Sequence, residues 1–84
     1  MATQEEFEAA AERVQKLPQS PSNDVLLQLY GLFKQASKGD ASGKRPGMLN
    51  VRARAKFDAW AGRKGMSADD ARAAYVALVD KLGG

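Results

Sequence analysis

The sequence predicts an all-α domain built as a four-helix bundle. Apolar residues recur at intervals of three and four through four segments, each opening or closing on a capping residue, and no stretch alternates apolar and polar residues as a strand would. No internal repeat or low-complexity tract interrupts them. At 84 residues the chain is expected to form one domain over residues 1–84, with a thin core.

The first helix opens on Thr3 and Glu6, which fit a capping box. Phe7, Ala10, Ala11, Val14 and Leu17 then follow at helical spacing until Pro18 stops the run. After the turn Pro18-Gln19-Ser20-Pro21, Ser22 caps a second helix with the apolar line Leu26, Leu29, Tyr30 and Phe33. That helix is expected to end near Lys38, with Gly39 as a left-handed cap. Residues 39–49 hold three glycines and one proline without periodicity and read as a loop. An irregular connection that long either crosses over the fold or binds something.

Asn50 is expected to cap a third helix through about Lys64. Ala55 and Ala59 lie on one face, and Ala53, Phe57 and Trp60 on a neighbouring one. Gly62 weakens its last turn by about 1 kcal/mol relative to alanine, and Gly65 closes it. Ser67 with Asp70 opens the fourth helix through Ala71, Ala74, Tyr75, Leu78, Val79 and Leu82. The two short links imply antiparallel neighbours, while the long one is free to leave helices two and three parallel.

The chain has no histidine and no cysteine. Disulfides, the usual ligands of a structural zinc site, and Ser-His or Cys-His nucleophile pairs are therefore excluded. Asp69-Asp70 and Glu5-Glu6 sit in helix first turns, where the helix dipole accounts for them. The segment Gly39-x-x-x-Gly43-Lys44 is one spacer short of a phosphate loop, carries Arg45 in place of Ser or Thr, and follows a helix. No signal peptide opens the chain and no stretch is long enough to span a membrane, so a soluble cytoplasmic protein is expected.

Charge is unevenly distributed. The chain carries a net +3, yet residues 38–64 hold eight Lys/Arg against only Asp40 and Asp58. Such confinement favours an anionic partner, phosphate first. Tyr30, Phe33 and Lys34 share one face of helix two, and Arg52, Lys56 and Trp60 are spaced by four on helix three. Rings stack bases and lysines meet phosphate oxygens, although core packing explains each ring, taken singly, as well. Arg52, Arg54, Lys56, Arg63 and Lys64 also leave room for a nucleic-acid-binding module, against which Asp58 and Trp60 interrupt the face.

A set of residues running from Phe7 to about Leu82 resembles the acyl-CoA-binding protein family. It comprises Phe7 with Ala10-Ala11, Leu27-x-x-Tyr30, Lys34-Gln35-Ala36, Gly39-Asp40, Arg45-Pro46-Gly47-Met48-Leu49, Ala55-Lys56, Asp58-Ala59-Trp60, Lys64-Gly65 and Ala74-Tyr75. The resemblance implies a four-helix bundle with a long overhand loop between helices two and three. It also implies a non-enzymatic, monomeric carrier of long-chain acyl-CoA with no cofactor, serving enzymes that make and use acyl-CoA. By the same resemblance Tyr30, Lys34, Lys56 and Tyr75 fall at coenzyme A positions, where the lysines reach the 3′-phosphate region and the rings enclose adenine. Ala11 and Leu27 fall in an apolar channel for the acyl chain. Three positions depart from the pattern: Phe33 replaces a tyrosine, Phe57 replaces a tryptophan beside Lys56, and Gln15 stands where a lysine commonly approaches the nucleotide. An interaction bundle that has lost its ligand is the remaining alternative, and retention of Tyr30, Lys34, Lys56 and Tyr75 argues against it.

Overall fold

The computed structural model describes residues 2–83. Four helices make up the fold: α1 Gln4–Gln15, α2 Asn23–Lys38, α3 Val51–Ala61 and α4 Ala68–Lys81. No strand occurs among the described residues. The capping box at α1 forms as expected: Glu6 N donates to Thr3 Oγ1 at 3.1 Å and Thr3 N donates to the Glu6 carboxylate at 3.1 Å. Ser22 and Ser67 cap α2 and α4 by accepting from Val25 N at 3.3 Å and Asp70 N at 3.0 Å.

Several helix ends differ from the sequence expectation, beginning with α1, which stops at Gln15 and leaves Leu17 outside the helix. Asn50 makes no side-chain cap bond to α3. That helix ends at Ala61 rather than Lys64, because beyond Gly62 the backbone tightens into i to i+3 turns, Arg63 N to Trp60 O at 2.9 Å and Lys64 N to Ala61 O at 3.2 Å. Gly39 has φ +79° but ψ −154°. This is the extended, glycine-only region and not the left-handed helical cap.

The core is Phe7, Ala10, Leu29, Leu32, Ala71, Tyr75 and Val79, with Gln35 buried among them. Of the line expected on α2, Leu29 is buried and Tyr30 half-buried, while Leu26 and Phe33 remain 43% and 38% exposed and Leu32 is buried in their place. The inward face is thus rotated from the one the spacing suggested, because α2 packs against two helices at once. It lies against α4 on one side and α3 on the other, while α1 packs against α4.

The short links do not make packed neighbours. Helices α1 and α2 do not approach at the level of the backbone, and neither do α3 and α4. Pro18 and Pro21, with fixed φ and no N–H, keep helix from running through the first link, which bends at Pro18 and Gln19. Phe7 nevertheless reaches Phe33 of α2 across the gap, with ring centroids 5.3 Å apart. A groove therefore remains between α1 and α2. The parallel course of α2 and α3 does appear: their first turns share a groove, and near their ends Trp60 Nε1 donates to Gly39 O at 2.7 Å.

Candidate functional site

No residue of α3 is fully buried. The helix is held against α2 by close approach and by polar pins. At Gly31, buried in the middle of α2, an added Cβ would lie 2.4 Å from Ala59 O and 2.9 Å from Ala59 C. Only glycine permits that approach. Ala59 was expected to share one face of α3 with Ala55; Gly31, its counterpart, is legible only as an otherwise unexplained glycine inside an apolar helix.

The approach brings two ammonium groups to one ring. Lys34 Nζ lies 5.9 Å from the Tyr30 ring centroid and 5.1 Å from that of Trp60, and Lys56 Nζ lies 5.5 Å from the Tyr30 centroid. These distances suit cation–π attraction, which positions flexible lysines without using their hydrogen-bond donors. Tyr30, Lys34 and Lys56 are thus brought together from two helices.

Phe33 is not part of that group. Its ring joins Phe7 and Tyr75 in a triangle with centroids 5.1 to 6.0 Å apart, linking α1, α2 and α4. Of the single face expected for Tyr30, Phe33 and Lys34, Phe33 turns toward α1 and Lys34 toward Trp60 of α3, while Tyr30 stands between them and meets both sides. Tyr75 is buried, and burial raises its hydroxyl pKa above the ordinary 10.0, so it stays protonated at neutral pH.

Two grooves, each of about 400 Å³, flank α2 and share Leu26 and Tyr30. The α1/α2 groove has Tyr30, Phe33 and Tyr75 for aromatic walls, Ala11 and Leu29 as apolar lining, and Gln15, Gln19 and Ser20 as polar groups. The α2/α3 groove is aliphatic, with Leu26, Leu27, Val51 and Ala55, edged by Asn23, Arg52 and Lys56. Ala11 and Leu27, expected in one channel, therefore line different grooves. Phe57, expected as a wall beside Lys56, lines neither groove and packs edge-on against Trp60 at 6.3 Å. Leu26 and Val51 were not singled out as site residues in the sequence; an apolar side chain left exposed at a helix start is visible only once packing is known.

The loop between α2 and α3 is pinned at its start and again midway. Asp40 Oδ1 accepts from Gly65 N at 2.9 Å and from Gln35 Nε2 at 2.8 Å, and Gln35 Nε2 also donates to Met66 O at 2.8 Å. These donors, Gly65 foremost and then Gln35, hold the Asp40 carboxyl below its ordinary pKa of 3.8. Farther along, Arg45 grips Asp58 in a bidentate pair at 2.8 and 2.6 Å, which lowers the Asp58 pKa and raises that of Arg45. Among the described residues no group of three or more His, Cys, Asp or Glu could hold a metal ion.

The chain is similar to known proteins over nearly its whole length. The sequence model of the family described as "Acyl CoA binding protein" matches residues 4–79. The chain belongs to the acyl-CoA-binding protein family. It is 51% identical over 83 residues to the acyl-CoA-binding protein homolog of Manduca sexta, covering 98% of this chain and 92% of that one. It is 49% identical over 76 residues to the acyl-CoA-binding protein of Saccharomyces cerevisiae, covering 90% and 87%. The crystal structure of Oryza sativa acyl-CoA-binding protein 2 superposes with a TM-score of 0.90 at 46% identity, covering 94% of this chain and 88% of that one. Several residues that carry the family resemblance turn out to be structural: Gln35, Asp40 and Gly65 anchor the start of the loop, and Arg45 and Asp58 its later part.

Proposed function

We propose that this chain is a non-enzymatic carrier that binds long-chain acyl-CoA thioesters, buffers their free concentration and passes them between the enzymes that make and use them. The observation that carries this reading is the convergence of Lys34 and Lys56 on Tyr30, where the two grooves meet. A coenzyme A thioester has three parts: an aromatic base, phosphates and an aliphatic tail. The surface around Tyr30 offers a complement to each.

In this reading the lysines take phosphate oxygens, the 3′-phosphate foremost, because ammonium donors to a charged acceptor give strong hydrogen bonds. Adenine enters the α1/α2 groove, whose rings at Tyr30, Phe33 and Tyr75 can enclose a flat base while Gln15 offers amide hydrogen bonds. The acyl chain lies along the aliphatic α2/α3 groove past Leu26, Leu27 and Ala55, where each buried methylene contributes at most ~0.8 kcal/mol. Ala11 thus belongs with the base and Leu27 with the tail. The whole chain acts as one monomeric domain, and its working compartment is the cytoplasm. Among the described residues no helix is long and apolar enough to cross a membrane.

Thermal unfolding with added ligand tests the reading. A ligand that binds only the folded state stabilises it by ~2.7 kcal/mol at a hundredfold excess over Kd. Each kcal/mol moves the melting point of a domain this small by ~4–8 °C. Palmitoyl-CoA is expected to raise it by on the order of ten degrees, and a short DNA duplex to leave it unchanged. A shift with DNA and none with palmitoyl-CoA would reject the carrier.

A further inference from the structure

The turn that leads into α3 has an unusual tip. Asn50 N donates to Gly47 O at 3.1 Å, which closes a four-residue turn with Met48 and Leu49 at its two corners. Turn corners ordinarily carry Gly, Pro, Asn, Asp or Ser. Here Met48 is 80% exposed, Leu49 102% and the adjoining Val51 71%. No other large apolar side chain among the described residues is exposed to that degree.

The tip is presented from a fixed base. The bidentate Arg45–Asp58 pair ties the loop to α3 just before the turn. Between residues 44 and 58 the chain carries five cations, Lys44, Arg45, Arg52, Arg54 and Lys56, and one carboxylate, Asp58. That carboxylate is already engaged by Arg45 and lies in the field of Arg54. The surroundings of the tip are therefore net positive.

We infer that the Met48–Leu49 turn, with Lys44, Arg52 and Arg54 around it, docks on the surface of an anionic lipid bilayer. A protruding apolar tip ringed by cations fits the boundary between headgroups and acyl chains, where side chains insert shallowly and basic residues meet anionic headgroups. A protein groove would demand a continuous apolar face, whereas Met48 and Leu49 stand on the turn and Val51 on the first residue of α3, with Arg54 and Asp58 beside them. Val51 belongs both to this tip and to the lining of the α2/α3 groove. The groove thus opens beside the docked surface. Docking itself rests on the tip and not on the acyl-CoA reading.

Co-sedimentation of the ligand-free chain with vesicles tests the inference. Wild type is expected to bind vesicles of phosphatidylcholine mixed with phosphatidylserine, to bind pure phosphatidylcholine vesicles far less, and to dissociate as salt is raised. M48S/L49S should weaken binding by roughly tenfold or more. K44Q/R54Q should weaken it by roughly tenfold or more as well, since each cation near an anionic surface is worth about fivefold. Both double variants should keep the wild-type melting temperature, because the tip contributes nothing to the core. Palmitoyl-CoA affinity without vesicles should be unchanged in M48S/L49S, which separates failure of docking from failure of the ligand reading. Absence of binding by wild type to the mixed vesicles at low salt would overturn the inference. So would equal binding by wild type and a folded M48S/L49S, which would reduce the effect to nonspecific adsorption of charge.

Discussion

Helix α2 is held on its two sides by different chemistry. Against α1 and α4 it contributes Leu29 and Leu32 to a cluster with Phe7, Ala10, Tyr75 and Val79, all nearly inaccessible. Against α3 it has a glycine, a backbone contact and polar pins, and α3 buries no residue completely. Hydrophobic burial is non-directional and tolerates small shifts, whereas a bidentate ion pair or a glycine contact sets position within a fraction of an ångström. The side that stabilises the chain therefore differs from the side that places the lysines. The two lysines are set by the pinned side, and the rings of the α1/α2 groove by the packed one.

The largest effect should come from the packed side. Phe7→Ala removes a buried ring that touches Phe33 and Tyr75, and it should lower unfolding free energy by ~3–5 kcal/mol. That is a large share of the ~5–15 kcal/mol of an ordinary domain. Phe57→Ala, on half-buried α3, should cost much less in the same urea titration. Equal losses would erase the distinction between the two sides.

Gly31→Ala attacks the pinned side. Alanine is the better helix former by about 1 kcal/mol, yet its Cβ would meet Ala59 O. The clash should win, with a net loss of ~1–3 kcal/mol and weaker palmitoyl-CoA binding as α3 moves away from Lys34. A more stable variant with unchanged binding would show that the helices are not held this closely.

Trp60→Phe removes the hydrogen bond to Gly39 O and should cost about 1–2 kcal/mol. Hydrogen exchange should rise in residues 39–50 while the amides of α1 and α4 keep their protection. Uniform acceleration would mean that the bond supports the whole fold.

The smallest effect is electrostatic. Asp40 and Asp58 have pKa values below the ordinary 3.8 because of the donors they accept from. A carboxylate whose folded pKa is depressed stabilises the fold fully above its unfolded pKa, and that contribution is lost as pH falls through the folded one. Loop mobility, followed by relaxation of the 39–50 amides, should therefore rise as pH is lowered below ~4, ahead of global unfolding. Asp58→Asn should show part of that mobility at neutral pH. Loosening that begins near neutrality would point to other groups.

The packed side was the more legible in the sequence. Thr3, Ser22 and Ser67 announce three helix starts, and the spacing of Phe7, Ala10, Leu29, Tyr75 and Val79 identifies core positions. Local chemistry suffices there because caps and periodicity act within one or two turns. What escaped depends on contacts between distant segments. Nothing in the spacing of Tyr30, Phe33 and Lys34 tells that α3 and α1 draw Lys34 and Phe33 to opposite sides. The short links suggested packed neighbours, yet α1 and α2 each pack against α4 and leave a groove between themselves. Resemblance supplied Tyr30, Lys34 and Lys56 as a group, and Gly31 explains why they can meet.

Calorimetric titration of palmitoyl-CoA and its 3′-dephospho analogue into wild type, Lys34→Ala and Lys56→Ala tests the central claim most directly. A hydrogen bond to a charged group contributes ~1.5–3 kcal/mol. Each substitution should therefore weaken palmitoyl-CoA binding by roughly ten- to a hundredfold, with little change in the melting temperature of the free chain. The analogue should bind wild type more weakly and be nearly indifferent to either substitution. Binding of the analogue that falls as far as that of palmitoyl-CoA, or palmitoyl-CoA affinity untouched by both substitutions, would contradict the assignment of these lysines to the phosphate.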